Sequence, residues 1–213
     1  MIESERRLYI RQLSAKLLLA QNSLAPVIDV RDMILPKSIR ILSFGEYSRI
    51  TGYSVNELTS DGVYNDGYTI VADKLRIVLY NSDYDILCPQ RLRFSLAHEI
   101  GHIFLKHTED DDKSEEEANY FASQIVAHDA IAVSMLTGSW NRDLNFIREQ
   151  FGLSWDAAGI KLKNINRNKR SYTNAEYQLF CKYKHLFSSQ KYNRSKFATA
   201  TSIIYAEFDE AYA

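Results

Sequence analysis

The residues best suited to do chemistry are His98-Glu99-Ile100-Gly101-His102. On a helix, positions i and i+4 share a face, so the two imidazoles can hold one metal ion. Zinc suits them, because a catalytic zinc takes three protein ligands and keeps a fourth position for water. It lowers the pKa of that water to about 7, which makes hydroxide available at neutral pH. A carboxylate beside the water, here Glu99, can take its proton and hand it to a leaving amine. These five residues point to hydrolysis at a metal.

The third ligand must come from another segment. No third histidine stands at metzincin spacing. His107, five residues after His102, reads as a surface or capping residue. The acidic stretch downstream is the better source. Glu115 and Asn119 are i and i+4, with Ala118 and Ala122 leaving room around them. They offer a ligand and a hydrogen-bonding residue able to orient a ligating histidine. Glu117 is the alternative ligand, although it faces away from that side and has a job as the partner of Ser114 in a capping box. Asp112 with Glu115 forms a second such pattern.

These residues need helices to carry them. Pro89 suits a first turn, and Arg91 to Lys106 follow without a proline. A second helix is expected from about 112–115 through Val126. Upstream, Tyr68–Ala72 and Leu75–Tyr80 read as a β-hairpin, and Ile39–Phe44 as a strand. Residues 45–66 read as loops with a short helix. An amphipathic helix is expected over 4–24, with Ile10, Leu13, Leu17, Ala20 and Leu24 on its apolar face. Ile131–Leu136, Trp140–Gln150 and Ser154–Ile165 read as three later helices, separated by Gly138 and Gly152.

Composition bounds the rest. A chain of 213 residues, 46% hydrophobic and 25% charged, can bury one sizeable core. Eight glycines and three prolines favour helices over a turn-rich β-sandwich. Cys88 and Cys181 cannot build a disulfide framework or a four-cysteine zinc site. No apolar run reaches the roughly 20 residues of a membrane helix. The acids among the first seven residues are unlike a signal peptide, so a cytoplasmic location is expected. The net charge of -1 hides two blocks. Seven acids and one base lie between Glu109 and Glu117; ten bases and one acid, Glu176, lie between Lys161 and Lys196. Both blocks read first as solvated faces.

Arg91-Leu92-Arg93-Phe94-Ser95-Leu96-Ala97-His98-Glu99-Ile100-Gly101-His102, followed by Glu115-Glu116-Glu117-Ala118-Asn119-Tyr120-Phe121-Ala122, closely resembles the ImmA/IrrE metallopeptidases. The hairpin strand before the motif and the Phe151-Gly152-Leu153-Ser154 segment fit the same pattern, so the resemblance spans about residues 60–165. It implies an α+β, gluzincin-like (zincin) fold, mostly helical, with a small sheet before the HEXXH helix. It implies a cytoplasmic zinc endopeptidase that cleaves a helix-turn-helix repressor, often one encoded on a mobile element or phage. Carried over by position, His98, His102 and Glu115 match the zinc ligands, Glu99 the catalytic base and Asn119 the family's helix asparagine. The chain departs from the pattern after Ala122, where Met-Pro is replaced by Ala127-His128. His128 reads as a surface residue, with oxyanion stabilisation as its other use. No helix-turn-helix is evident at the N-terminus.

The expected division is a peptidase domain over 1–165 and a basic, aromatic extension over 166–213. Tyr64, Tyr68, Tyr84, Arg91 and Arg93 are candidates by type for steadying an oxyanion. A second reading is a zinc-containing module that sequesters a repressor or toxin without cutting; the intact Glu99 argues against it. A third is direct DNA binding through the basic tail, which has the composition but no base-reading motif.

Overall fold

The computed structural model describes residues 2–59, 66–109, 111–167 and 172–188. The chain divides into two compact units. Of the described residues, the first holds those up to Ile10 and within Ile28–Val126; the second holds those within Arg11–Val27 and those after Val126.

The first unit is built on a three-stranded sheet of order β1-β3-β2. β2 (Gly67–Ala72) and β3 (Leu75–Tyr80) form the expected antiparallel hairpin, with Ala72 opposite Leu75. Its two-residue turn lacks glycine because Asp73, at φ 53°, takes the left-handed conformation that Asp tolerates. Gly67 is needed for packing instead: a Cβ there would lie 2.3 Å from the Leu79 carbonyl oxygen. β1 (Ile39–Ser43) pairs parallel to β3. Phe44, expected in that strand, starts a helix.

Residues 44–58 are more helical than expected. α2 (Phe44–Thr51) and α3 (Val55–Leu58) each begin with a reciprocal capping box, Ser43 with Glu46 and Ser54 with Glu57. After a short α4 (Tyr84–Leu87) come the two helices that carry the motif, α5 (Pro89–Leu105) and α6 (Asp112–Val126). The buried face of α5 is Leu92, Leu96, Ala97, Ile100, Gly101 and Leu105, the three- and four-residue spacing of an amphipathic helix. Asp111 caps α6, its carboxylate accepting from the Ser114 amide at 2.7 Å. Ser114 and Asp112 are therefore not the caps that the pattern suggested.

The amino-terminal helix α1 (Ser4–Leu19) is shorter than the 4–24 expected. Leu24 lies past its end and is 81% exposed. Lys182 lies at this end, donating to Leu18 O at 3.2 Å and also to Gln21 O just past the helix. A cation at that end is where the helix dipole favours one.

The second unit is helical in its described residues. α7 (Asp129–Ala132) continues into a 3-10 turn over Val133–Met135, where one helix was expected over 131–136. α8 (Trp140–Phe151) and α9 (Trp155–Arg167) match the two later helices. α10 (Asn174–Ser188) lies in the segment read as an extension. The basic block is only partly a solvated face. Its one acid, Glu176, is fully buried and bonded to Arg11 Nε at 2.8 Å, and Lys161 is buried against Asp129 at 2.7 Å. The bases from Lys191 onward lie outside the described residues.

Candidate metal centre

The site lies in the first unit and depends on how closely α5 and α6 approach. Ala97, Ala118 and Ala122 are fully buried. A Cβ on Gly101 would lie 3.0 Å from Phe121 Cδ1 and 3.3 Å from both Ala118 Cα and Ala118 O. A hydrogen at position 101 therefore sets the distance between the helices. At that distance Glu115, in the first turn of α6, reaches both histidines of α5.

The three ligand atoms converge. His98 Nε2 and His102 Nε2 are 2.9 Å apart. Glu115 Oε1 is 3.1 Å from His102 Nε2, and its Oε2 is 3.4 Å from His98 Nε2. Among the described residues this is the one group of three whose ligand atoms all lie within 4.8 Å of one another. Tetrahedral bonds of about 2.0–2.1 Å place neighbouring ligand atoms about 3.3 Å apart, so the triangle fits a zinc-sized ion. Two imidazole nitrogens and one carboxylate are also the donor set zinc takes in hydrolytic sites. The three side chains are 16%, 20% and 44% exposed, so the site is reachable from solvent.

Neighbouring groups hold the candidate ligands. Asn119 Oδ1 lies 3.1 Å from His98 Nδ1. The tautomer that leaves His98 Nε2 for a metal carries its proton on Nδ1, which donates to this oxygen. Thr69 on β2 donates its hydroxyl to Glu99 Oε2 at 2.6 Å, which holds the carboxylate between strand and helix.

Glu117 is turned away from the cluster, 3% exposed, and engaged by Arg6 and His107. Burial raises its carboxyl pKa, but the hydrogen bonds from Arg6 and His107 outweigh that and hold it below the ordinary value. Its side chain lies outside the His98, His102 and Glu115 group, and the helix cap is Asp111.

Two histidines differ from their sequence reading. His107 is not at the surface: its side chain is 8% exposed, and its Nδ1 lies 3.1 Å from His102 Nδ1. His128 is buried in the second unit, where its Nδ1 accepts from the Ala130 amide and caps α7. It is not a surface residue.

The remaining polar candidates are held by other partners. Tyr68 donates to the Leu58 carbonyl, Arg91 donates to Asp66 at 2.6 Å, and Tyr84 lies under the Arg91 guanidinium. Burial lowers the pKa of Arg93. Tyr64 lies outside the described residues. Thr69 and Arg6 were missed, and His107 was given another role: their contacts around the site come from folding, and no residue pattern announces them.

The profile of the IrrE N-terminal-like domain, a peptidase family (Peptidase_M78), matches residues 52–163, more than half of the chain. The chain belongs to this family. The match takes in β2, β3 and the whole of α5 and α6, so the family region and the ligand cluster coincide. It bears out the ImmA/IrrE resemblance and, with the small sheet and many helices, an α+β zincin-like fold. No curated protein and no solved structure matches the chain. Among the described residues no helix is long and apolar enough to cross a membrane.

Proposed function

We propose that the chain is a zinc-dependent endopeptidase, with His98, His102 and Glu115 as ligands and Glu99 as general base. One observation carries the reading: in a chain of a peptidase family, candidate ligand atoms of three side chains from two helices lie within 4.8 Å of one another, and Glu99 follows His98 directly on α5. Bound there, zinc would supply a Lewis acid that acidifies water and polarises a peptide carbonyl. The protein's own share is to orient and to move a proton. Asn119 fixes the His98 ring. Thr69 holds the Glu99 carboxylate by a hydrogen bond, and in this reading that carboxylate takes a proton from the attacking water and delivers it to the departing amine. Among the described residues β2 pairs with β3 alone, and an extended peptide can add along such an edge.

The substrate we propose is a helix-turn-helix repressor, as the family resemblance implies. Two measurements test the reading. Zinc per chain, in protein purified without added metal, should be about one in the wild type and in Glu117→Gln and lost in Glu115→Ala. Cleavage of a co-expressed helix-turn-helix repressor should fall by at least about 10²-fold in Glu99→Gln. A Glu99→Gln protein that still relieves repression without cutting would favour sequestration instead.

A further inference from the structure

We infer that His107 is a positioning residue for His102, and that it ties the metal centre through Glu117 to Arg6 on the amino-terminal helix. The inference rests on the metal reading above and adds residues that reading does not use. Proton bookkeeping carries it. His102 Nε2 faces His98 Nε2 and Glu115, so as a ligand His102 keeps its proton on Nδ1. That nitrogen is 3.1 Å from His107 Nδ1, and an N–H···N bond holds one proton. His107 Nδ1 is therefore the acceptor, and the His107 proton sits on Nε2. His107 Nε2 is 3.1 Å from Glu117 Oε2, to which it donates. Arg6 Nε donates to the same oxygen at 2.9 Å. Every link has one donor and one acceptor, from ligand to base to anion to cation.

The backbone makes this possible. Lys106 ends α5 in the left-handed conformation, φ 59° and ψ 41°. The His107 amide then bonds back to the His102 carbonyl at 3.0 Å, which brings the His107 ring over the ligand. The two histidine ligands are thus supported unequally. His98 donates to a neutral amide. His102 donates to an imidazole that is itself bonded to a buried carboxylate, which increases the electron density on its metal-facing nitrogen.

The test loads metal-free protein with zinc alone and reads affinity by competition with a chromophoric chelator. The variants are His107→Phe, which cannot accept the hydrogen bond from His102; His107→Gln, whose amide oxygen can; and Arg6→Gln. His107→Phe should bind zinc about 10–100-fold more weakly than wild type, with His107→Gln recovering most of the loss. Metal-free melting temperatures of the two should agree, which separates the effect from folding. Arg6→Gln, at a partly exposed position, should weaken binding several-fold; it keeps the test decisive if His107→Phe does not fold. The inference is overturned if His107→Phe or Arg6→Gln holds zinc as tightly as wild type, or if His107→Gln loses as much as His107→Phe. A wild type that takes up no zinc would instead remove the metal reading itself, a different and separately visible result.

Discussion

Two clusters of ionisable side chains in this protein have similar ingredients and opposite uses. In the first unit, His98, His102 and Glu115 turn lone pairs toward one point and stay partly open to solvent. In the second, Arg11 meets Glu176 and Lys161 meets Asp129, each pair buried with its charge already balanced, while His128 caps α7. A group of acceptors with no cation of its own can take one from outside. A group that contains its own cations is finished and serves packing. What separates a metal centre from a structural ion pair is therefore the balance of donors and acceptors and not the number of charges.

The largest expected effect tests that contrast. Glu176→Ala leaves Arg11 buried without its carboxylate and should cost about 3–5 kcal/mol in urea unfolding. Glu115→Ala in metal-free protein should change stability by no more than about 0.5 kcal/mol. Equal losses would erase the distinction.

Next comes the spacing between the helices. Gly101→Ala forces α6 outward, because its backbone at Ala118 cannot give way as a flexible side chain does. Overpacking of this kind costs about 1–3 kcal/mol, more than the roughly 1 kcal/mol that alanine gains over glycine in a helix. Stability and zinc affinity should fall together, which a calorimetric titration beside a melt would show.

The two regions should also respond to different pH ranges. Burial holds the His128 imidazole below its ordinary value of about 6.5. The unfolded chain then binds the proton first, and stability falls as pH drops below about 6.5, by up to about 1.4 kcal/mol per pH unit from this group. Glu117 lies below the ordinary carboxylate value of about 4.3, so its contribution is complete above that pH and is lost as pH falls through the lower folded value. Urea midpoints between pH 7 and 3 should show a flatter slope in His128→Gln between about pH 6.5 and 5, and in Glu117→Gln only below about pH 4.5. The smallest effect belongs to Ser43→Ala, which removes the α2 cap and should cost about 1 kcal/mol in the same assay.

The sequence was most readable where the candidate site rests on short spacing. His98, Glu99 and His102 declare themselves by i and i+4, and Glu115 with Asn119 by the same rule on the next helix. The hairpin shows in its β-branched runs. The outer support of the site was hidden for two reasons. Lys106 takes a conformation usually marked by glycine, so nothing signalled the turn that swings His107 back. Arg6 meets Glu117 across 111 residues of chain, and no local pattern reports such a contact. The boxes at Ser43/Glu46 and Ser54/Glu57 were legible in principle. The polar residues around them left one short helix expected in this stretch where there are two. His128 misled because a polar residue was read as exposed, when its ring replaces a missing helix partner inside a core.

The tight seating of Gly101 against α6 has a consequence for the cost of gathering the candidate ligands. His102 and Glu115 are thirteen residues apart, and drawing them together in a loose chain would carry the entropy cost of closing that loop. Here the helix contact has already met it, so if the proposed metal binds at these residues it would find them close together, with little chain left to order.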